Sequence, residues 1–316
     1  MLTYVVRRTV ATAPILFGVS VICFSFVHLA PGDPLTAVMP ENATPAMAAI
    51  IKHTYGFDRP LPVQYMLWLR AVLSGNFGAS IMTGRPVLGE ILPAALHTAE
   101  LASAAIAMSL VFGIGMGLLA AYVRHIAADR LITGLAVLGV SVPHYWMGMV
   151  FVAIFAVKLG LFPAMGMSAG SSGGGIGVQD LRFMVLPALT LALIPTGIIS
   201  RTVRAAVVEV RKQDFIATLL SSGLRRRRLF LHTIRNAAPA VLAVIGLQMA
   251  QLLGGSILVE TVFAWPGTGY LLNNAIATRD LPLLQGTTLL LAVFFVVLNL
   301  LVDLIQPFLD PRVTRE

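Results

Sequence analysis

Leu101–Val123 reads LASAAIAMSLVFGIGMGLLAAYV, 23 residues without a charge between Glu100 and Arg124. About 20 apolar residues, rising roughly 1.5 Å each, cross a hydrocarbon core of about 30 Å. This run is therefore read as a membrane span. Working outward, five further charge-free windows of at least 18 residues obey the same rule: Thr9–Gly32, Leu131–Val157, Phe183–Ser200, Asn236–Val259 and Leu281–Val302. Phe183–Ser200 is the shortest and carries Pro187 and Pro195, which predicts a kinked helix extended by Thr202 to Val208. The whole chain is 57% hydrophobic and 11% charged, where soluble domains carry about 25% charge. A soluble fold cannot hide that much apolar surface, so lipid must take part of it. The expected fold class is an all-α membrane protein with six transmembrane helices.

Lys and Arg set the orientation. The N-terminal segment, the connections after the second and fourth spans, and the C-terminal tail hold 15 of them, and the opposite side holds 7. Of those 7, Lys52, Arg59, Arg70 and Arg85 lie in one long loop, where the rule counts least. Both termini are expected in the cytoplasm of a multi-pass inner-membrane protein. Arg7 and Arg8 before an apolar run resemble a signal peptide, but the run exceeds a signal core and lacks a small-x-small cleavage site. It is read as a retained helix. The pI near 10.2 does not point to nucleic acid, because the basic residues sit in loops between spans without a stacking platform. One cysteine, Cys23, makes no internal disulfide.

Four segments are expected: 1–32, a tail and first helix; 33–98, an external region; 99–310, a five-helix membrane domain with a cytoplasmic segment at 201–238; and a tail at 311–316. In the external region, Pro31-Gly32-Asp33-Pro34 stops the first helix. Thr44 to Tyr55 and Val63 to Leu73 read as short helices, the second with Tyr65, Trp68 and Leu69 on one face. The region reads equally as a packed cap or as a platform for an external partner. Gly170-Ser171-Ser172-Gly173-Gly174-Gly175 lacks the lysine and helix of a phosphate loop and reads as a linker.

The cytoplasmic stretch Arg201 to Arg235 holds nine basic and two acidic residues. Asp214 is placed to cap a helix by accepting from the N–H of Ile216 or Ala217, and Gly223 to close it. Phe215, Thr218, Leu219 and Ser222 follow helical spacing between them. Such a helix fits a cleft on another protein, or lies on anionic headgroups served by Arg225 to Arg228. Catalytic chemistry is missing from the pattern. The six histidines show no metal-ligand spacing. Ser141 and His144 suggest a hydrolase dyad, but Pro143 interrupts the helix between them and no oxyanion hole is visible. Glu260 and Asp303 are the charged residues near span ends, where water is within reach. No chain of buried carboxylates suggests a proton relay, and no nucleotide-binding loop is present, so ATP chemistry belongs to a separate chain.

Leu253-Gly254-Gly255-Ser256-Ile257-Leu258-Val259-Glu260-Thr261-Val262-Phe263-Ala264-Trp265-Pro266-Gly267-Thr268-Gly269 resembles the signature of the first, B-type permease subunit of dipeptide, oligopeptide and nickel ABC importers. Arg279-Asp280-Leu281-Pro282 with Gln285-Gly286, Asn299 to Asp303, and Asp310-Pro311-Arg312 continue the resemblance. So do Arg7-Arg8, Pro14, Pro31 to Pro34, and Pro62-Val63-Gln64-Tyr65 through Gly75-Asn76-Phe77-Gly78-Ala79-Ser80. It covers essentially the whole chain. The family's coupling motif, near D-Y-V-R-T-A-R-A-K-G, falls on Asp214 to Gly223. Asp214, Thr218 and Gly223 are kept, while Ala217, Leu220 and Ser222 replace the basic residues.

The resemblance implies a type I importer permease fold with a long external loop and a cytoplasmic coupling helix. It implies a homologous second permease, two ATP-binding cassette ATPase subunits holding ATP and Mg, and an external solute-binding protein. This chain then holds no cofactor or metal and is not an enzyme. Asp214, Phe215, Ala217, Thr218, Leu219, Leu220 and Gly223 would meet the ATPase, through a more apolar contact than in relatives. Glu260, Phe263, Trp265, Pro266 and Gly267 are gate or pathway candidates. Peptide ranks first as solute; glutathione and a nickel chelate, with His144 as a conceivable nickel contact, remain alternatives. A stand-alone carrier or channel, and a membrane anchor without transport, are the readings from other classes.

Overall fold

The computed structural model describes residues 2–29, 44, 58–123, 134, 136–137, 139–167 and 180–309. Among these residues the regular structure is helical, apart from one isolated antiparallel bridge between Ala79 and Pro86. The helices are α1 (Leu2–Leu29), α2 (Leu61–Leu73), α3 (Val87–Tyr122), α4 (His144–Phe151), α5 (Asp180–Arg211), α6 (Asp214–Ser221), α7 (Arg226–Val262), α8 (Thr268–Ala277) and α9 (Leu281–Leu309). Five apolar stretches on them are long enough to cross a membrane: Arg7–Ser25, Val87–Tyr122, Leu181–Arg211, Arg226–Met249 and Leu281–Leu300. The expected helix at Thr44 to Tyr55, the Pro31-to-Pro34 stop, the Gly170-to-Gly175 linker and the 311–316 tail lie outside the described residues, Thr44 excepted.

The third window differs from its expected form. Its described residues are helical up to Ser141, leave the helix at Val142 and Pro143, and resume as α4. From Val152 to Lys158 the helix widens to π geometry, and the apolar helix His144–Lys158 falls short of span length. The Pro143 ring, which removes a donor and clashes with the preceding turn, breaks at this point a window whose apolar length alone suggests one span. By contrast, α5 runs unbroken through Pro187 and Pro195 and continues past Thr202 to Arg211.

The chain divides into two compact units. The first joins Met1–Thr98 to Pro266–Leu300. Here Tyr65 and Trp68 of α2 turn onto α1: the Phe24 ring lies 5.5 Å from Tyr65 and 5.8 Å from Trp68, and the Tyr65 hydroxyl is 2.7 Å from Ser20 Oγ. The aromatic face read from the sequence thus packs against a helix. Val87, Ile91, Ala275 and Leu283 form this unit's buried cluster. Its polar centre is Asp280, 1% exposed, which accepts from Ser80 Oγ at 2.5 Å and from Leu283 N–H at 3.3 Å. One carboxylate therefore caps α9 and holds the 76–86 turn.

The second unit joins Ala99–Trp265 to Leu301–Glu316. Lipid is as apolar as a leucine core, so helices in a membrane associate by close packing. Glycine permits this on α3 and α5. A Cβ on Gly117 would lie 2.6 Å from the Ser200 carbonyl and 2.7 Å from Val203 Cβ, and one on Gly113 3.0 Å from Ile199. Gly113 and Gly117 share a face at four-residue spacing, the small-xxx-small arrangement. At Gly197 the opposite side of α5 meets the third window, where a Cβ would lie 2.3 Å from the Ala136 carbonyl.

Candidate functional site

α6 connects the two long helices of the second unit. Gln213, extended at φ −72° and ψ 146°, is its N-cap, and the Gln213 carbonyl accepts from Ile216 N–H at 3.0 Å. No side chain caps this end, so the expectation that Asp214 does so is corrected. A cap residue must keep extended backbone angles, and Gln213 holds them; Asp214 is already the first helical residue. Its exposed carboxylate still complements the positive end of the helix dipole. The other end closes on Gly223, at φ +78°. Leu224 N–H donates to the Leu219 carbonyl at 3.2 Å and Gly223 N–H to the Leu220 carbonyl at 3.1 Å. This bond pair is a Schellman closure, with glycine at the left-handed position.

The helix is anchored by a residue outside the predicted stripe. Ile216 is 4% exposed and joins Ile199, Val203, Val207, Val210 and Ala237 in one buried cluster, with Phe215 packed beside it. Phe215 and Leu219 are half-buried, while Asp214, Ala217, Thr218, Leu220 and Gly223 are exposed, Leu220 by 56%. Of the three residues expected to give an apolar contact, only Leu220 is mostly free. Phe215 belongs largely to the chain's own core.

Arg211 ties the surroundings together and was not singled out from sequence. Its Nη1 donates to the Ala121 carbonyl at 2.7 Å, and its guanidinium lies 4.6 Å from the centroid of Tyr122. Tyr122 in turn lies 5.7 Å from the Phe230 ring. A cation thus meets the carbonyl end of α3, where it offsets the dipole and satisfies an orphan acceptor. The ends of α3 and α5 and the start of α7 are fixed around α6.

At the far end of α7 the chain leaves helical geometry after Val262, as Trp265-Pro266-Gly267 requires. Trp265 N–H donates to the Glu260 carbonyl at 2.9 Å and Ala264 N–H to the Thr261 carbonyl at 3.3 Å. This is again a Schellman closure, but its left-handed residue is Ala264, at φ +47°. Phe263 and Trp265, at 2% and 0% exposed, join Leu101, Leu186, Leu191 and Val259 in a buried cluster. Glu260 is 0% exposed. The expectation that water reaches it is therefore corrected, since packing around the turn closes over it. Pro266 is half-buried and Gly267, N-cap of α8, is buried in the first unit. Asp303 falls on α9 with its side chain outside the described set. Ser141 Oγ donates to the Val137 carbonyl at 2.9 Å and His144 Nε2 lies 3.2 Å from the Gly255 carbonyl, so the structure forms no dyad.

The family model described as binding-protein-dependent transport system inner membrane component matches residues 113–315, and its N-terminal companion matches residues 1–107. The chain is 35% identical over 331 residues to the dipeptide transport system permease protein DppB of Alkalihalophilus pseudofirmus, with 99% of each chain covered. It is 36% identical over 314 residues to the glutathione transport system permease protein GsiC of Salmonella typhimurium, again with 99% of each chain covered. To GsiC of Escherichia coli strain K12 it is 34% identical over the same length and coverage. With full-length likeness and a helical membrane architecture in agreement, the chain belongs to the family of binding-protein-dependent transport system inner membrane components.

Proposed function

We propose that this chain is a membrane-spanning permease subunit of an ATP-driven importer of peptides, forming half of the translocation pathway. The observation that carries the reading is end-to-end likeness to relatives named as dipeptide and glutathione permeases. Its fold is the all-α one of type I importer permeases. Glutathione is the second candidate solute, because relatives bearing that name match equally well along the whole chain.

In this reading a homologous permease completes the pathway, an external binding protein delivers the solute, and two ATPase subunits hold ATP and Mg. Both termini face those ATPases, on the arginine count. α6 is the coupling element, with Asp214, Ala217, Thr218 and Leu220 meeting the ATPase and Ile216 holding the helix to the permease. ATP binding favours one arrangement of the ATPase pair, and contact at α6 passes that bias to the spanning helices. The Glu260-to-Gly267 turn is read as part of the opposite gate, set in place by buried Trp265. Trp265→Ala and Gly267→Ala that leave uptake and ATPase coupling intact would remove the gate from the account.

The deciding experiment is uptake of a labelled dipeptide, and separately of glutathione, into proteoliposomes holding the complete importer and its binding protein. ATP-dependent dipeptide uptake is expected. Glutathione uptake without dipeptide uptake would make glutathione the solute. Uptake persisting without the ATPase subunits would replace the importer reading with a stand-alone carrier.

A further inference from the structure

We infer that Gln251, backed by Gln248, is a solute contact well inside the charge-free window Asn236–Val259, donating hydrogen bonds to carbonyl or carboxylate oxygens of the peptide in transit. The inference deepens the importer reading above and rests on it for the ligand class.

Ala243, Leu247, Gln251, Gly254 and Leu258 of α7, at helical spacing, form one exposed stripe, with Met249 exposed on the other side. Gln248, Leu252, Ser256 and Val259 face the interior. Four of the five residues of the stripe suit lipid, but Gln251 does not. Gln248 Nε2 donates to Gln251 Oε1 at 3.1 Å, which fixes the Gln251 amide with its oxygen toward the buried partner. The two N–H donors of Gln251 are thereby turned outward, with no acceptor among the described residues.

Gln251 lies eight residues inside the Val259 end of the charge-free window Asn236–Val259, about 12 Å at 1.5 Å per residue. Hydrocarbon offers no acceptor at that depth, so the amide must face water, protein or solute. Gly254, one turn on, is exposed, with nothing within 4 Å of where a Cβ would stand, which leaves open space beside the amide.

The broken third window adds a second, independent observation. His144 Nε2 touches the Gly255 carbonyl at 3.2 Å, so the irregular backbone at Val142 and Pro143 lies beside α7 one turn from Gln251. Pro143 is exposed there as well. Irregular backbone at membrane depth is tolerated where it is buried in protein or lines a wet cavity. An exposed amide and an exposed helix break at one level point to a wet path. A peptide backbone offers the acceptors those donors lack.

The chain suits a thiol test, because Cys23 is its one cysteine and is 1% exposed. The complete importer carrying Gln251→Cys is treated with a charged, membrane-impermeant methanethiosulfonate in each nucleotide state, with and without loaded binding protein and dipeptide. Labelling in at least one state, slowed severalfold by dipeptide, is expected. Gln251→Leu is expected to lower dipeptide uptake at saturating loaded binding protein about tenfold, the factor equivalent to one hydrogen bond, at equal yield of assembled complex. Absence of labelling in every state would place Gln251 against lipid and overturn the inference. Disulfide capture of the homologous permease, with labelling indifferent to any solute, would overturn it too by making Gln251 an interface residue. Labelling slowed by S-methylglutathione, whose blocked thiol leaves the reagent intact, and not by dipeptide would overturn the dipeptide reading and leave the solute contact standing.

Discussion

Ile216→Ala is expected to uncouple transport although Ile216 never reaches the surface. Ile216 is 4% exposed and is the buried residue of α6. An eight-residue helix has no stability of its own in water, so its docked state depends on tertiary packing. Removing a buried isoleucine side chain to alanine costs about 2–5 kcal/mol. A loss near the lower bound, about 2 kcal/mol, weakens docking of α6 roughly 30-fold. The Gly223 closure and half-buried Phe215 remain, so local loosening is expected rather than global unfolding. Leu220→Ala is the matched comparison. At 56% exposure it should leave stability within about 0.5 kcal/mol, while removing apolar surface from the proposed ATPase contact. Hydrogen exchange across 213–224, with ATP hydrolysed per peptide imported, separates the two. Ile216→Ala should raise exchange and waste ATP; Leu220→Ala should waste ATP with exchange unchanged. Unchanged exchange in Ile216→Ala would refute anchoring by burial, and normal coupling in Leu220→Ala would refute the exposed face as the contact.

Three further outcomes follow from the packing. Gly117→Ala should destabilise the second unit by about 1–3 kcal/mol, because its Cβ would fall 2.6 Å from the Ser200 carbonyl, whereas Gly115→Ala, with nothing within 4 Å, should be neutral or mildly stabilising in thermal unfolding. Ala264→Gly should raise the unfolding temperature, by roughly 1 kcal/mol of relieved left-handed strain, since Ala264 sits at φ +47°; a lower temperature would mean the methyl packs more than it strains. Asp280→Ala should cost about 2–4 kcal/mol, a lost cap plus a stranded buried hydroxyl, and should expose 76–86 to exchange more than Ser80→Ala does, since Asp280 also accepts from Leu283 N–H.

What was legible in the sequence was what depends on one residue at a time or on near neighbours. Charge-free length marked the spans, since a charge in hydrocarbon is costly wherever it packs. The bracket from Asp214 to Gly223 located α6 because caps are local chemistry, although Gln213 rather than Asp214 took the capping angles. The face of α6 was not legible. Phe215, Ile216, Leu219 and Leu220 are all apolar within eight residues, so two overlapping stripes fit equally, and only the cluster around Val207 and Ala237 selects Ile216. Glu260 stands near a helix end, which suggests water, yet it is 0% exposed where the chain closes with Trp265 N–H on the Glu260 carbonyl. The left-handed turn there escaped notice because Ala264 occupies a position where glycine is the usual signal.

Gln251 carries no signal in a count of charges. The fifth window was counted as free of charge, and an amide carries none. A count of charges treats Gln251 and Leu247 alike, although one brings two donors that hydrocarbon cannot satisfy and the other brings none. Its companion Gln248 sits inside and gives its own N–H to the Gln251 oxygen, which satisfies the acceptor and leaves both donors over. One amide is buried and holds the second, exposed one by its oxygen, the support that a solute contact at Gln251 needs.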